Sequence, residues 1–123
     1  MFKLKKNEIL REYKLINEVK SSKNIIKTDL FIVKYIYINK KDSVKTKCLF
    51  YVPKKLFKKA VNRNKIRRRM KESYRLNKDK FNIDDDKTLV LSIMYKSINI
   101  ENYYNINENL LKIIDYLNLN IKQ

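Results

Sequence analysis

Five of the six arginines in this chain fall between residues 60 and 75, in the segment AVNRNKIRRRMKESYR. Lysine is the commoner cation of the chain, 24 of them in 123 residues. Arginine differs from lysine in offering a planar fork of donors that grips phosphate or carboxylate at two points. From Lys54 to Arg75 there are eleven cations and one acid, Glu72, a net charge of +10 over 22 residues. At 100° per residue, Arg63, Asn64, Arg67, Arg68, Lys71 and Arg75 share an arc of about 140° on one helix. The pairs Arg63/Arg67, Arg67/Lys71 and Lys71/Arg75 place like charges one turn apart, repelling by a few tenths of a kcal/mol each. No acids interleave to relieve them. The chemistry such a face can do is polyanion binding, and a solvated helix surface gives no reason to carry that repulsion. Asn64, in the middle of the face, can hydrogen-bond a phosphate, sugar or base edge. Its alternative is a helix N-cap, a role that suits Asn62 at least as well.

Chemistry of other kinds lacks its residues. There is no histidine, one cysteine cannot build a zinc site, and a Gly-rich phosphate loop is excluded because glycine is absent. Asp84, Asp85 and Asp86 form the one acidic run; consecutive carboxylates in a loop diverge, so DDDK reads as a solvated turn and not as a Mg²⁺ site. No residue pair has the pattern of a catalytic acid and base. Cys48, inside the apolar run CLFYV, reads as a small core side chain in a reducing compartment.

The elements that must position the basic segment follow from periodicity. Asn7 to Val19 is predicted as a first helix, with Ile9, Tyr13 and Ile16 on a stripe widened by Leu10 and Leu15. KSSKN (20–24) is a polar connector. DLFIVKYIYI (29–38) reads as a strand with Phe31, Val33, Tyr35 and Tyr37 on one face and Leu30, Ile32, Ile36 and Ile38 on the other, Lys34 among them. NKKDS (39–43) is a turn, and VKTKCLFYV (44–52) a second strand that Pro53 closes. The basic helix comes next, its Ile66, Met70 and Ser73, with Tyr74 close by, placed to pack on a sheet. FNIDDDK (81–87) is a loop, and TLVLSIMY (88–95) an apolar strand buried on both faces. Asn107 is the expected cap of a last helix with Leu110, Ile113, Ile114 and Leu117 as its stripe. The expected order is α–β–β–α–β–α in a single α+β RNA-binding domain over 1–123.

A net charge of +17 exceeds any need of solubility and attracts nucleic acid or an anionic surface. Runs such as LFYV and LVL are far shorter than the roughly 20 residues that span a bilayer. MFKLKKNEIL lacks the apolar stretch of a secretory signal. The expected setting is the cytoplasm, with no membrane.

The segment AVNRNKIRRRMKESYRL resembles the RNR signature of the bacterial ribonuclease P protein subunit, A-V-x-R-N-R-I-K-R-x-x-R-E-x-[FY]-R. Upstream, FYVPKKLFKKAV is similar to that family's strand and lysine pair leading into the same helix. The strands DLFIVKYIYI and TLVLSIMY and the terminal helix fall in the family's order.

This resemblance implies a small α+β sandwich similar to the second domain of ribosomal protein S5, with a left-handed β–α–β crossover through the basic helix. It also implies a function: binding the catalytic RNA subunit of ribonuclease P and the 5′ leader of precursor tRNA in an endonuclease whose RNA is catalytic. On this resemblance Mg²⁺ is held mainly by the RNA, no residue of this chain is catalytic, and no obligate protein partner is needed. By position the RNA-binding residues would be Arg63, Asn64, Lys65, Arg67, Arg68 and Lys71, with Lys54 and Lys55 nearby. A leader cleft would use Tyr35, Phe31 and Tyr13, for which core packing is the alternative. Lys65 departs from the motif by replacing its second arginine, and Tyr95 and Lys96 stand where the family often has Ile-Ala-Arg. Turns needing positive φ would fall to Asn or Asp, glycine being absent. The rival readings are a basic RNA-binding or ribosomal protein without an enzyme, and a binder of anionic surfaces.

Overall fold

In the computed structural model, which describes residues 8–120, Lys34 of one strand stands beside Ser92 of another at the middle of a four-stranded sheet. The strands are β1 (Ile25–Lys27), β2 (Phe31–Asn39), β3 (Thr46–Tyr51) and β4 (Lys87–Tyr95), in the order β1-β2-β4-β3. β2 runs antiparallel to β1 and β4, and β3 runs parallel to β4. Helix α1 (Tyr13–Lys20) precedes the sheet, α2 (Ala60–Asn77) crosses from β3 to β4, and α3 (Tyr103–Asn120) ends the domain. A turn of 3₁₀ helix, Lys78–Lys80, follows α2.

Strand alternation sorts the core into two layers. Phe31 and Val33 of β2, Leu89, Leu91 and Ile93 of β4, and Cys48 and Phe50 of β3 pack with Ile66, Met70 and Tyr74 of α2 and Ile106, Leu110, Ile113 and Ile114 of α3. Ile36 and Ile38, Val90 and Leu49 point the other way, against Leu10, Leu15, Ile16 and Val19. Every residue of β4 from Thr88 to Ile93 is buried, as its uninterrupted apolar run predicts. Leu30 departs from its predicted face: it precedes the strand and joins the α2/α3 layer, where its N–H donates to Asn109.

Three further differences have local causes. Asn7, the expected start of the first helix, lies outside the described residues; the helix observed starts at Tyr13, because Ile9 bridges to Cys48 and the Leu10 N–H donates to the Cys48 carbonyl at 3.1 Å. Tyr13 is consequently 80% exposed, and Val19 supplies the helix's buried anchor. β1 lies just beyond the polar connector, in the stretch before the first predicted strand, where three residues are too few to show a period; Ser22 Oγ and Asn24 Nδ2 tie its lead-in to the Tyr35 carbonyl. α3 starts four residues before Asn107, since the Asn102 side chain accepts the Asn105 N–H at 2.9 Å as the cap. Asn107 instead lies inside the helix, accepting from Ser73 and Asn77 of α2 at 2.8 Å each.

The turns manage without left-handed residues. No described residue has positive φ, so the strain expected at Asn or Asp does not arise. Between β1 and β2 the Thr28 N–H donates to the Phe31 carbonyl, and Thr28 Oγ1 accepts the Phe31 N–H in return.

Candidate nucleic-acid interface

Helix α2 is fixed to the domain by a narrow apolar edge. Ile66, Met70, Ser73, Tyr74 and Asn77 are buried, and the Tyr74 hydroxyl shares a hydrogen bond with Thr46 of β3. Burial holds the Tyr74 phenol well above its usual range, so it stays neutral. At its end Lys78 Nζ reaches both oxygens of Glu8 at 2.9 Å. The far side of the helix is left to the cations.

Those cations divide into supports and free heads. Arg63 Nη1 donates to the carbonyls of Phe57 and Lys58, 2.8 Å each, and so closes the turn before the helix. Arg69 donates to the Glu101 carbonyl at 2.6 Å and pins α2 to the start of α3. Arg67 is steadied by Asn64 Oδ1 at 3.0 Å, and Asn64 caps no helix, since Lys59 holds that position. The one acid, Glu72, is taken by Arg75. Arg68 and Lys65 are exposed, and among the described residues they and Lys71 enter no ion pair. By helical angle Lys65 lies about 60° beyond Arg68, outside the arc shared by the others. A set of guanidinium and ammonium groups with so few carboxylates nearby raises a positive potential suited to phosphates.

Beside α2 runs a groove. A cavity of about 650 Å³ is lined by Phe50, Tyr51, Val52, Pro53, Lys54, Lys55, Arg63, Arg67 and Met94. It meets a second of about 260 Å³ lined by Lys20, Ile32, Lys34, Tyr51, Ser92 and Met94, the two sharing Tyr51 and Met94. The groove thus crosses the α1 side of the sheet from the end of α1 to the start of α2. Of the two aromatic residues lining it, Phe50 is buried and Tyr51, 40% exposed, is the one open to solvent.

The aromatic residues expected in such a cleft are elsewhere. Phe31 is 1% exposed, packed edge-on against Tyr95 in the core. Tyr35 lies on the same strand face as Phe31, half-buried beside Tyr37, and so opens away from the groove. Tyr13 stands exposed on α1 with no ring contact among the described residues. Tyr95, in place of a charged residue, is a buried prop whose hydroxyl donates to the Asn99 carbonyl and accepts the Glu101 N–H. Sequence reasoning missed Tyr51 although the signal was present: β3 alternation puts Lys47, Leu49 and Tyr51 on one face, next to the lysine pair.

A hollow at the other end of α1, lined among others by Glu12, Glu18, Asp42, Lys14, Lys41 and Lys47, balances its charges and has no claim on a polyanion. The acidic run is exposed in a turn, and among the described residues no cluster of metal-ligating side chains is gathered. No described helix is long and apolar enough to cross a membrane.

Fold and site together define a small cationic α+β domain whose basic helix flanks a groove with an aromatic wall. The Ribonuclease P family model matches residues 4–117, and the chain belongs to that family, the protein subunits of bacterial ribonuclease P. The family's holoenzyme is an endoribonuclease of tRNA processing with a catalytic RNA, so an RNA partner comes with membership. The fold is similar to that of the Staphylococcus aureus RNase P protein: 18% identity over 90% of this chain and 95% of that one, TM-score 0.71. The Thermotoga maritima RNase P protein is 19% identical over 89% of this chain and 96% of its own, TM-score 0.68. A further Staphylococcus aureus RNase P protein structure gives 22%, 94%, 95% and 0.63. No curated protein matches the chain in sequence.

Proposed function

We propose that this subunit docks on the catalytic RNA of ribonuclease P through the outward face of α2 and holds the 5′ leader of precursor tRNA in the adjoining groove. The observation that carries this reading is the junction at Arg63 and Arg67. Both belong to the basic helix, and both line the groove that runs on to Tyr51. One row of cations thereby serves two strands: a folded RNA on the outside and a single strand inside.

The two contacts ask for different chemistry. A structured RNA presents phosphates at fixed positions, which forked guanidinium groups on a rigid helix recognise. A leader varies in sequence, and stacking on Tyr51 accepts any base, while Lys54, Lys55 and Lys34 track its phosphates. Arg63, Arg67, Arg68 and Lys71 are assigned to RNA docking, with Asn64 holding Arg67 in place; Lys65, set apart on the helix, is a peripheral contact. Phe31 is assigned to the core, and Tyr35 and Tyr13 have no place in the groove. In this reading Mg²⁺ belongs to the RNA subunit and the setting is the cytoplasm.

The test is reconstitution with the cognate RNA at near-physiological Mg²⁺, using precursor and mature tRNA. Added protein should raise precursor cleavage and favour precursor over mature tRNA in binding. No gain in either would end the proposal.

A further inference from the structure

Helix α1 ends over the groove, and its last residue meets the groove's aromatic wall. The Lys20 ammonium lies 5.4 Å from the centroid of the Tyr51 ring. Beneath it, Lys34 Nζ donates to the Lys20 carbonyl at 2.9 Å, a cation at the C-terminal end of a helix where the dipole favours one. The end of α1 is therefore held to the sheet, and the ring face that a base would use already has an occupant.

That occupant is replaceable. An ammonium over a solvent-exposed ring is bound more weakly than a base stacked on the same ring. Once displaced, it remains on the groove wall beside Lys34, where the phosphate of an incoming nucleotide must pass.

We propose that Lys20 is a specificity-determining cover for Tyr51: an entering single strand exchanges it, base onto ring and ammonium onto the adjacent phosphate. The exchange favours ligands that carry both groups. An aromatic molecule without phosphate displaces the ammonium and offers it nothing, while a phosphate chain without bases leaves it on the ring. Until then the ammonium keeps Tyr51 oriented into the groove. This inference rests on the groove reading given above.

The experiment uses the full chain and a short single-stranded oligoribonucleotide. In the free protein the ring current of Tyr51 shifts the Lys20 ε-methylene protons upfield in NMR spectra, and Tyr51→Leu abolishes that shift. Saturation with the oligonucleotide should return these protons to their ordinary position. Lys20→Met should lower the slope of log affinity against log salt by about 0.7, one single-strand phosphate contact, and Lys20→Arg should restore it. Persistence of the upfield shift in the saturated complex, or an unchanged slope in Lys20→Met, overturns the exchange while leaving the groove standing. Failure of the wild-type protein to bind the strand overturns the groove reading and this inference with it.

Discussion

The Arg63 guanidinium turns back along the chain and donates to the carbonyl of Phe57 at 2.8 Å. The same nitrogen also reaches Lys58, so the residue that opens the signature helix locks the turn that carries Lys54 and Lys55 toward the groove. Arginine suits this position because its planar fork carries five N–H donors, more than these two carbonyls use.

Arg63→Ala should therefore lower stability, by about 1–2 kcal/mol for part-buried charged hydrogen bonds, as well as RNA affinity. Urea denaturation beside RNA titration checks this. A variant with full stability would reduce Arg63 to a simple phosphate contact.

Arg68 and Arg67 should behave differently. Arg68→Ala is expected to leave stability within about 0.5 kcal/mol and to reduce the salt slope of RNA binding by about 0.9 for each duplex phosphate lost. Asn64→Ala should reproduce part of the Arg67→Ala defect, and the double variant should be less than additive because both act through one hydrogen bond. Filter binding across a salt series supplies the numbers.

Tyr51→Leu should weaken binding of precursor tRNA by about 1–3 kcal/mol, roughly 5- to 150-fold, with little change for mature tRNA. Tyr35→Ala should leave the difference between the two tRNAs intact, its ring being on the opposite face of the sheet. Equal losses for both tRNAs in Tyr51→Leu would remove the leader from the groove.

A pH dependence is expected at α1. The Glu12 carboxylate is held below its ordinary value of 4.5 by hydrogen bonds from the backbone and from Lys47, against a smaller opposing effect of burial. A carboxyl with a lowered folded pKa adds stability above its unfolded value and loses it as pH falls through the folded one. The first helix should thus loosen below about pH 4.5, modestly, because Glu12 is half exposed. Hydrogen exchange of the α1 amides measures this, and Glu12→Gln should flatten the dependence.

Much of the architecture was legible because its signals are periodic. The buried edge of α2 and the stripe of α3 follow from 3.6-residue spacing, and the two faces of β2 from alternation. Other features depend on contacts distant in sequence. Nothing local says that Ile9 will pair with Cys48 instead of opening a helix. ENYYNINEN offers several asparagines able to cap, and packing of Asn107 against Ser73 and Asn77 decides among them. The site was half visible for the same reason. The basic face is a property of one helix, whereas the groove depends on which side of the sheet α1 covers. Alternation divides Tyr35 from Lys34 without saying which of them looks into a cleft.

The pairing of Leu10 with Cys48 has a consequence for the behaviour of many molecules together. β3 is one of the two outer strands of the sheet, and bare strand edges invite other chains to add on. Mutual repulsion keeps highly charged copies apart in free solution, but neutralisation by bound RNA removes that safeguard. By laying its own leading segment along this margin, the protein leaves neighbours crowded onto polyanion with less to zip to, and the one edge that remains among the described residues is the three-residue β1.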